Sequence, residues 1–410
     1  MSDITFTQDQ GQAIKAVLRW LKRHQMGKKA PMIFRVFGWA GTGKTTIAKY
    51  IVDAIQNGEQ GVNPGTVIFA AFTGKAAARL MVKGCKPAST IHRAIYRPKI
   101  NENTGQVEGF TLNRESPLVG CVMGVMDEVS MTDEVLGRDW MSFSVPTLVF
   151  GDPGQLPPIE GQGYFTQAEP DILLTEITRQ AAESPIIHLA TKARLGESID
   201  YGDYGDVKVL PSTKEVSDKW LGWADQVLCG ANSTRKGVMN RIRELKGYKG
   251  IYPSKGEKLI CLKNNHDRGL LNGTHWQCTA PQIKPMKTLL NWKEVKQGWQ
   301  QPRWAESKYP ALWFNARSMD FKEADGSPLI VRDIQVSAHH FNPALDEPPF
   351  RDRANTEWFD FGDPITVHKA QGSEWDNVML INESYLFREW AKNHFYTGIT
   401  RAAGRLVIRL

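Results

Sequence analysis

The sequence has no long apolar segment and no signal-peptide pattern. Its nonpolar runs, such as residues 118–126, are far shorter than the ~20 residues that span a bilayer. The first residues, MSDITFTQDQ, lack a basic region followed by an apolar one. We therefore expect a soluble protein of the cytoplasm, or of the host cytoplasm if the source is a virus, with no membrane partner.

Cysteine pairs, repeats and a strong charge excess are also missing. The 5 cysteines are widely spaced, with no Cys-x-x-Cys and no neighbouring pair of histidines, which argues against a zinc site or a disulfide framework. Without repeats or low-complexity tracts, the 410 residues are expected to form about two to four globular domains. Lys and Arg number 51 against 44 for Asp and Glu, a net charge of +7 that permits a polyanionic partner but does not establish one.

Apolar runs typical of buried strands alternate with helical patterns along most of the chain. Residues 32–37 and 67–72 are such runs, and each precedes a helical pattern. This alternation predicts parallel sheets covered on both faces. Residues 272–361 break it, being rich in Pro, Trp and short β-like runs. We predict an α/β protein with a first domain at 1–178, a second at 179–271 and 362–410, and a β domain at 272–361 inserted into the second.

Residues 38–45, GWAGTGKT, fit the phosphate-binding pattern GxxxxGK[ST]. Glycines let backbone N–H groups surround phosphate oxygens, and the dipole of the following helix favours an anion. Lys44 would reach the β- and γ-phosphates, and the Thr45 hydroxyl would bind Mg²⁺. An ordinary glycine-rich turn is the alternative, and the strand before and the helix after the motif argue against it. The predicted nucleotide-binding residues here are Gly38, Ala40, Gly41, Thr42, Gly43, Lys44, Thr45 and Thr46.

Two adjacent carboxylates follow the apolar run 121–126. Asp127 would hold Mg²⁺, as the acid at the end of a neighbouring strand does in P-loop enzymes. Glu128 suits the orientation of an attacking water, which predicts hydrolysis of ATP rather than transfer of its phosphoryl group to a metabolite. An Asp-Glu pair is often only a solvated turn, so its position after a buried strand carries the prediction.

Further segments resemble the motifs of superfamily 1 helicases of the Dda-like and RecD-like group, which moves 5′ to 3′. They occur in family order across residues 6–402. They are FTQDQ (6–10), FTGKAA (72–77), STIHR (89–93), DEVSM (127–131), GDPGQLPP (151–158), LTE with Arg179-Gln180 (174–180), TVHKAQGSE (366–374) and YTGITRA (396–402). Position 72 is Phe where RecD-like proteins often carry Pro, and Phe is more typical of the 3′-to-5′ branch.

The resemblance implies two RecA-like domains with ATP in the cleft between them. A small β-hairpin would be inserted in the first domain and an SH3-like β domain in the second. Gln10 would read adenine, Gln155 and Gln371 would sense the γ-phosphate, and Arg179 and Arg401 would act as arginine fingers. The alternative for either arginine is a surface ion pair.

The resemblance also places residues on a nucleic-acid strand. Hydroxyl and imidazole groups can bind phosphate oxygens without reading sequence, although the two histidines could equally be interior residues. The candidates are Phe72, Thr73, Lys75, Thr90, His92, Thr366 and His368, with Asn232 as a weaker one.

Two accessory segments could also meet nucleic acid. Residues 94–117 contain two strand-like runs about a glycine-containing turn, where the family inserts its strand-separating pin, and Phe110 could stack at the junction. The alternative is a hairpin that caps the sheet. Residues 284–308 combine basic charge with tryptophan, which suits either base stacking or the core of a small barrel. We expect at least two of Trp292, Trp299, Trp304 and Trp313 to be core.

We therefore predict a monomeric, ATP-dependent DNA helicase that requires Mg²⁺. It would translocate on single-stranded DNA, unwind duplex junctions and meet replication or repair proteins. DNA rather than RNA follows from the resemblance alone. The alternative is an ATP-gated single-strand nucleic-acid-binding switch without processive unwinding. A catalytically dead remnant is a third possibility, against which the intact P-loop and its acidic pair argue.

Overall fold

A computed structural model describes residues 6–100, 107–158, 161, 163–178, 182–212, 217–291, 301–323 and 325–410. The chain divides into two compact units. The first unit comprises Met1–Tyr96, Leu112–Asn232 and Thr366–Leu410, and the second comprises Arg97–Thr111 and Ser233–Ile365. None of the helices in the described ranges is long and apolar enough to cross a membrane.

The helices of these ranges are numbered in chain order. They are α1 (Gln8–Gln25), α2 (Lys44–Gln56), α3 (Gly74–Val82), α4 (Ile91–Ile95), α5 (Glu134–Met141), α6 (Pro185–Leu195), α7 (Asp218–Trp223), α8 (Asn232–Leu245), α9 (Ala338–Phe341), α10 (Phe350–Arg353), α11 (Val367–Ala370) and α12 (Ala391–Ile399).

The strands are numbered in the same way. They are β1 (Ile33–Gly38), β2 (Val67–Ala71), β3 (Ala88–Thr90), β4 (Tyr96–Ile100), β5 (Val107–Leu112), β6 (Met123–Asp127), β7 (Thr147–Gly151), β8 (Ile172–Leu174), β9 (Gly202–Asp203), β10 (Val207–Leu210), β11 (Gln226–Cys229), β12 (Lys258–Cys261), β13 (His275–Leu289), β14 (Trp304–Lys322), β15 (Pro328–Ser337), β16 (Phe359–Phe361), β17 (Ile365–Thr366), β18 (Trp375–Ile381) and β19 (Ala402–Arg409).

The first sheet is parallel, with the strand order β3-β2-β6-β7-β1-β8. Every residue of β2 is buried because the sheet is covered on both faces. Val67 and Phe69 pack into one core with α1 and α2, whereas Ile68 and Ala70 pack into another with α4 and α5. Alternate side chains of a strand point to opposite faces, so one apolar run supplies both cores.

The second sheet has the order β17-β11-β18-β19-β10-β9. The pairs β11–β18, β18–β19 and β10–β19 are parallel, and the short edge strand β9 is antiparallel. Helices α6 and α12 pack against each other beside this sheet. The first sheet and strands β9, β10, β11, β18 and β19 of the second sheet belong to the first compact unit. The predicted α/β class with two mainly parallel sheets is confirmed.

The second unit contains a five-stranded antiparallel sheet with the order β15-β14-β13-β12-β16. Trp276 and Phe359 are fully buried in its core, and the rings of Phe314 and Phe359 meet edge to face at 5.4 Å. Strands β4 and β5 pair as a separate two-stranded sheet, and residues 97–111 group with this unit. The predicted domain boundaries are drawn differently from these units, and they stay a prediction.

Two of the four tryptophans proposed for this core lie in the part of the chain that the structure describes. Trp304 is 51% exposed, and Trp313 is half-buried with its Nε1 donating to the carbonyl of Pro285 at 3.2 Å. Trp292 and Trp299 lie outside the described residues, so the expectation about them stays a prediction. The core tryptophan that the structure shows is Trp276, which precedes the basic segment in the sequence.

Candidate nucleotide and nucleic-acid site

The glycine-rich loop lies between the end of β1 and the start of α2. Gly41 and Gly43 have φ angles of 81° and 78°, a left-handed conformation that glycine adopts without steric cost. Gly43 is the N-cap of α2, and Lys44 is the first residue of that helix. The loop therefore carries backbone N–H groups to a helix N-terminus, which is the arrangement that binds phosphate.

Lys44 and Thr42 make hydrogen bonds within this loop. The Lys44 Nζ donates to the carbonyls of Gly38 at 2.7 Å and Trp39 at 3.1 Å, and the Thr42 hydroxyl donates to the Trp39 carbonyl at 2.8 Å. Thr45 is half-buried and Thr46 is exposed in the first turn of α2. The predicted phosphate-binding residues are thus brought together at one edge of the sheet.

Gln10 is placed against the same loop. Its Nε2 donates to the carbonyl of Thr42 at 2.9 Å, and its Oε1 accepts from the N–H of Thr7 at 3.0 Å in the capping box of α1. The side chain is buried, and its Nε2 lies 2.6 Å from where a Cβ on Gly43 would stand. Gln10 therefore joins the start of α1 to the P-loop, and its predicted contact with adenine stays a prediction.

Asp127 and Glu128 lie at the carboxyl end of β6, two strands from the P-loop strand β1. Burial, together with the neighbouring Glu128 carboxylate, raises the pKa of Asp127 to about 6, and the Lys44 ammonium opposes this rise. Glu128 has a φ of 55°, and its N–H donates to Asp127 Oδ1 at 2.9 Å. A left-handed conformation is unfavourable for a non-glycine residue, and such strain is frequent at functional sites.

We call the first sheet with its helices the first α/β layer, and the second sheet with its helices the second α/β layer. Residues of the second layer bond to the loop after β7. The N–H of Leu156 donates to the Thr397 hydroxyl at 3.0 Å, and its carbonyl accepts from the Gln371 amide at 3.0 Å. The Asn393 amide donates to the Gln155 carbonyl at 3.1 Å. Gln155 and Gln371 are both buried, and within the described ranges their Oε1 atoms have no hydrogen-bond partner. The structure therefore brings the two predicted sensor glutamines to one loop.

Arg401 is buried directly after α12, only 4% exposed. Its guanidinium donates to the carbonyls of Thr397 at 3.0 Å and Ser373 at 3.1 Å and to the Thr400 hydroxyl at 3.0 Å. These partners are neutral oxygens, unlike those of a surface ion pair, and they orient the cation. Arg179 lies outside the described residues, and its predicted role stays a prediction.

Three of the nucleic-acid candidates are helix N-caps. The hydroxyl of Thr73 accepts from the N–H of Ala76 at 3.1 Å, and the hydroxyls of Thr90 and Thr366 make the corresponding bonds at 3.2 Å and 3.4 Å. An N-cap hydroxyl that accepts a backbone bond still has its own proton to donate. The three threonines mark the starts of α3, α4 and α11.

The other nucleic-acid candidates differ in exposure. Lys75 is buried, with its Nζ 4.9 Å from the centroid of the Trp375 ring. His92 and Asn232 are exposed, Phe72 is half-buried, and Phe110 is 63% exposed on β5. Burial lowers the pKa of the half-buried His368, which packs beside Phe387 at 5.4 Å. The binding of a strand by these side chains stays a prediction.

Sequence reasoning assigned no role to Asp152 and Tyr396, although both lie within its motifs. The Tyr396 hydroxyl donates to Asp152 Oδ2 at 2.7 Å and accepts from the N–H of Ala40 at 2.8 Å. A tyrosine among apolar residues at the end of a helical pattern is the signal that could have suggested a buried polar contact.

Two protein-family models match this chain. The model of the AAA domain family matches residues 7–211, and that of the UvrD-like helicase C-terminal domain matches residues 363–408. Because the first match covers half of the chain, the protein belongs to the AAA domain family.

Two helicases are similar in sequence. The ATP-dependent RecD2 DNA helicase of Deinococcus radiodurans is 28% identical over 382 residues, which are 90% of this chain and 45% of that protein. The ATP-dependent DNA helicase dda of Enterobacteria phage T4 is 34% identical over 206 residues, 47% of this chain and 43% of that protein. The chain thus spans less than half the length of either relative. This homology confirms the resemblance to superfamily 1 helicases of the Dda-like and RecD-like group.

Solved structures share the fold. Bacteroides Pif1 bound to ssDNA superposes with a TM-score of 0.56 at 16% identity, covering 100% of this chain and 93% of that one. Pif1 helicase from Candida albicans superposes with a TM-score of 0.52 at 16% identity, covering 99% of this chain and 94% of that one.

Proposed function

We propose that this protein is an ATP-dependent DNA helicase that moves along single-stranded DNA from 5′ to 3′ and unwinds duplexes. The observation that carries the proposal is the meeting of two α/β layers at one loop. Residues of the second layer, Gln371 and Thr397, bond to Leu156 beside the P-loop and acidic pair of the first layer. A nucleotide bound here would be contacted by groups of both layers, which is how hydrolysis can be converted into relative movement. The names of the RecD2 and Dda relatives support the same activity.

The nucleotide chemistry follows from the residues at this edge. The P-loop N–H groups and Lys44 would bind the phosphates, and Glu128 would orient the attacking water. Arg401, already oriented by three neutral oxygens, would stabilise charge that develops on the γ-phosphate.

The donor set also fits Mg²⁺. Thr45 and Asp127 supply a hydroxyl and a carboxylate oxygen, and this ion takes few protein ligands beside phosphate and water. A divalent cation would also favour the ionised form of Asp127, whose pKa burial raises. Mg²⁺ would neutralise charge on the phosphate oxygens when bound.

Single-stranded DNA would be bound through its phosphates. Thr73, Thr90 and Thr366 each combine a hydroxyl proton with the start of a helix, and such groups contact phosphate without reading base sequence. The exposed ring of Phe110 on β5, which pairs with β4, would stack at the junction with the duplex. The Bacteroides Pif1 structure bound to ssDNA supports a strand as the ligand of this fold.

The decisive experiment compares ATP hydrolysis with unwinding. Steady-state hydrolysis should rise when single-stranded DNA is added, and duplexes with a 5′ tail should be unwound faster than duplexes with a 3′ tail. Lys44→Ala is the control, since it removes the cation aimed at the phosphates and should abolish both activities while single-strand binding survives. Stimulated hydrolysis without unwinding would instead support a nucleic-acid-binding switch. Hydrolysis by Lys44→Ala within tenfold of the parent would refute the P-loop assignment.

A further inference from the structure

Tyr396 lies at a point where three elements of the first unit meet. It is carried by α12, is only 1% exposed, and contacts both the P-loop and the loop after β7 through its hydroxyl. A tyrosine hydroxyl has one proton to donate, and here that proton goes to Asp152 while Ala40 donates to the oxygen. Burial, and then the Asp152 carboxylate, raises the pKa of Tyr396, so the phenol stays protonated and remains a donor.

Asp152 is a buried carboxylate with a limited set of partners. Its Oδ1 accepts from the N–H of Gly154 at 2.9 Å, and its Oδ2 accepts from Tyr396 at 2.7 Å. The same Oδ2 faces the Lys44 Nζ at 3.9 Å. Burial raises the pKa of Asp152, the Glu128 carboxylate acts in the same direction, and Lys44, Tyr396 and Gly154 oppose them.

Lys44 and Tyr396 therefore both face Asp152 Oδ2, and of the two only Tyr396 is within hydrogen-bond distance. A buried carboxylate that loses a hydrogen bond is costly and attracts the nearest cation. Among the described residues, the cation within 4.0 Å of this oxygen is Lys44, the lysine that a nucleotide phosphate needs. An ion pair between Lys44 and Asp152 would compete with phosphate for that charge.

We propose that Tyr396 is a positioning residue that occupies the Asp152 carboxylate and thereby keeps Lys44 out of an ion pair with it. Lys44 then donates only to the neutral carbonyls of Gly38 and Trp39, which it can exchange for the phosphate oxygens of ATP. This role rests on the proposed nucleotide-binding function of the P-loop. It also places the hydroxyl that controls Lys44 on α12, the helix that carries the Thr397 contact to Leu156. Movement of α12 would then change how well the P-loop holds nucleotide.

The test is a double-mutant cycle on nucleotide affinity. The dissociation constant of a nonhydrolysable ATP analogue with Mg²⁺ is measured by calorimetry for the parent, Tyr396→Phe, Asp152→Asn and the double variant, without DNA. Tyr396→Phe should weaken binding about tenfold, near the lower end for a hydrogen bond to a charged group. In the Asp152→Asn background the same substitution should change affinity less than about twofold, because no carboxylate remains to capture Lys44.

Tyr96→Phe is the matched control. The Tyr96 hydroxyl also donates to a carboxylate, that of Asp139, within the same unit but away from the P-loop. Its removal should leave the affinity for the analogue within about twofold of the parent. Melting temperatures of all variants report any loss of folding.

Each other outcome overturns the proposal. Unchanged affinity in Tyr396→Phe would show that Lys44 does not depend on the hydroxyl. An equal loss in both backgrounds would mean that Tyr396 acts through packing or through Ala40, and an equal loss in Tyr96→Phe would indicate general destabilisation.

Lys44→Ala separates this inference from the proposed function. If Lys44→Ala binds the analogue like the parent, the P-loop assignment fails. If it loses binding while Tyr396→Phe does not, only the role of Tyr396 fails.

Discussion

Arg79 and Glu374 form an ion pair, with 2.6 Å between Nη2 and Oε2, that joins α3 of the first α/β layer to the segment after α11 of the second. The Arg79 Nη1 also donates to the carbonyl of Gly372 at 3.2 Å. Although burial opposes it, Arg79 and then Arg401 lower the pKa of Glu374, so this carboxylate stays ionised. The pair thus links the two segments whose N-caps, Thr73 and Thr366, are candidates for binding the strand.

Breaking this pair should reduce the coupling of DNA to hydrolysis more than stability. Because both side chains are about one-third to one-half exposed, Arg79→Ala should cost about 0.2–1 kcal/mol in the free energy of unfolding. DNA-stimulated hydrolysis should fall severalfold while hydrolysis without DNA stays near the parent rate. The charge-exchanged variant Arg79→Glu with Glu374→Arg should recover stimulation. If DNA-stimulated hydrolysis does not recover in this variant, the loss in Arg79→Ala is assigned to the hydrogen bond with Gly372.

Arg401→Ala should lower kcat far more than nucleotide affinity. An arginine finger acts on charge that develops during phosphoryl transfer, and its contribution is on the order of 10³–10⁵ in kcat. The expected result is a large loss of kcat for ATP hydrolysis, while the dissociation constant of an ATP analogue stays nearly unchanged. Arg405→Ala is the control, because Arg405 is an exposed residue of β19 that bonds to Asn377 at 3.1 Å. An unchanged kcat in Arg401→Ala would make Arg401 a structural residue.

Hydrolysis should decline at acid pH, at about 6 when Mg²⁺ is scarce and at lower pH when Mg²⁺ is plentiful. Burial and Glu128 raise the pKa of Asp127 to about 6, so the carboxylate becomes protonated there and loses affinity for a cation. Mg²⁺ binds the ionised form, so a higher Mg²⁺ concentration should move the acid limb of the kcat/KM profile to lower pH. An acid limb that does not shift with the Mg²⁺ concentration would report the titration of a group other than Asp127. Asp127→Asn, which has no carboxylate to bind the cation, should abolish the activity.

Phe110→Ala should separate unwinding from movement. The 63% exposed ring lies on β5, and stacking of a base on such a ring is worth about 1–3 kcal/mol. Unwinding of tailed duplexes should slow sharply, while DNA-stimulated hydrolysis and single-strand translocation stay near the parent values. Leu112→Ala, at another exposed position of the same strand, serves as the control. A parallel fall in unwinding and hydrolysis would show that the hairpin supports the fold.

Much of the local architecture could be predicted from the sequence. The apolar run of β2 and the glycine-rich loop before α2 are local patterns, because burial on both faces and a left-handed turn each restrict which residues can stand there. The adjacent carboxylates Asp127 and Glu128 are also a local pattern, because they directly follow the apolar residues of β6. The segments at the proposed nucleotide-binding edge of the first sheet can therefore each be predicted from their own local sequence.

Contacts between distant segments were decided by the tertiary structure. Tyr396 and Asp152 are 244 positions apart, and no periodicity relates them, yet one hydrogen bond joins them beside Lys44. Trp276 is fully buried in the core of the second unit whereas Trp304 is 51% exposed, because burial depends on which strands pair. The sequence alone determined the chemistry available along the chain, whereas packing of α12 against the loop after β7 decided which groups act together. Hydrogen bonds made across hundreds of residues depend on the folded arrangement of the layers, which local patterns do not contain.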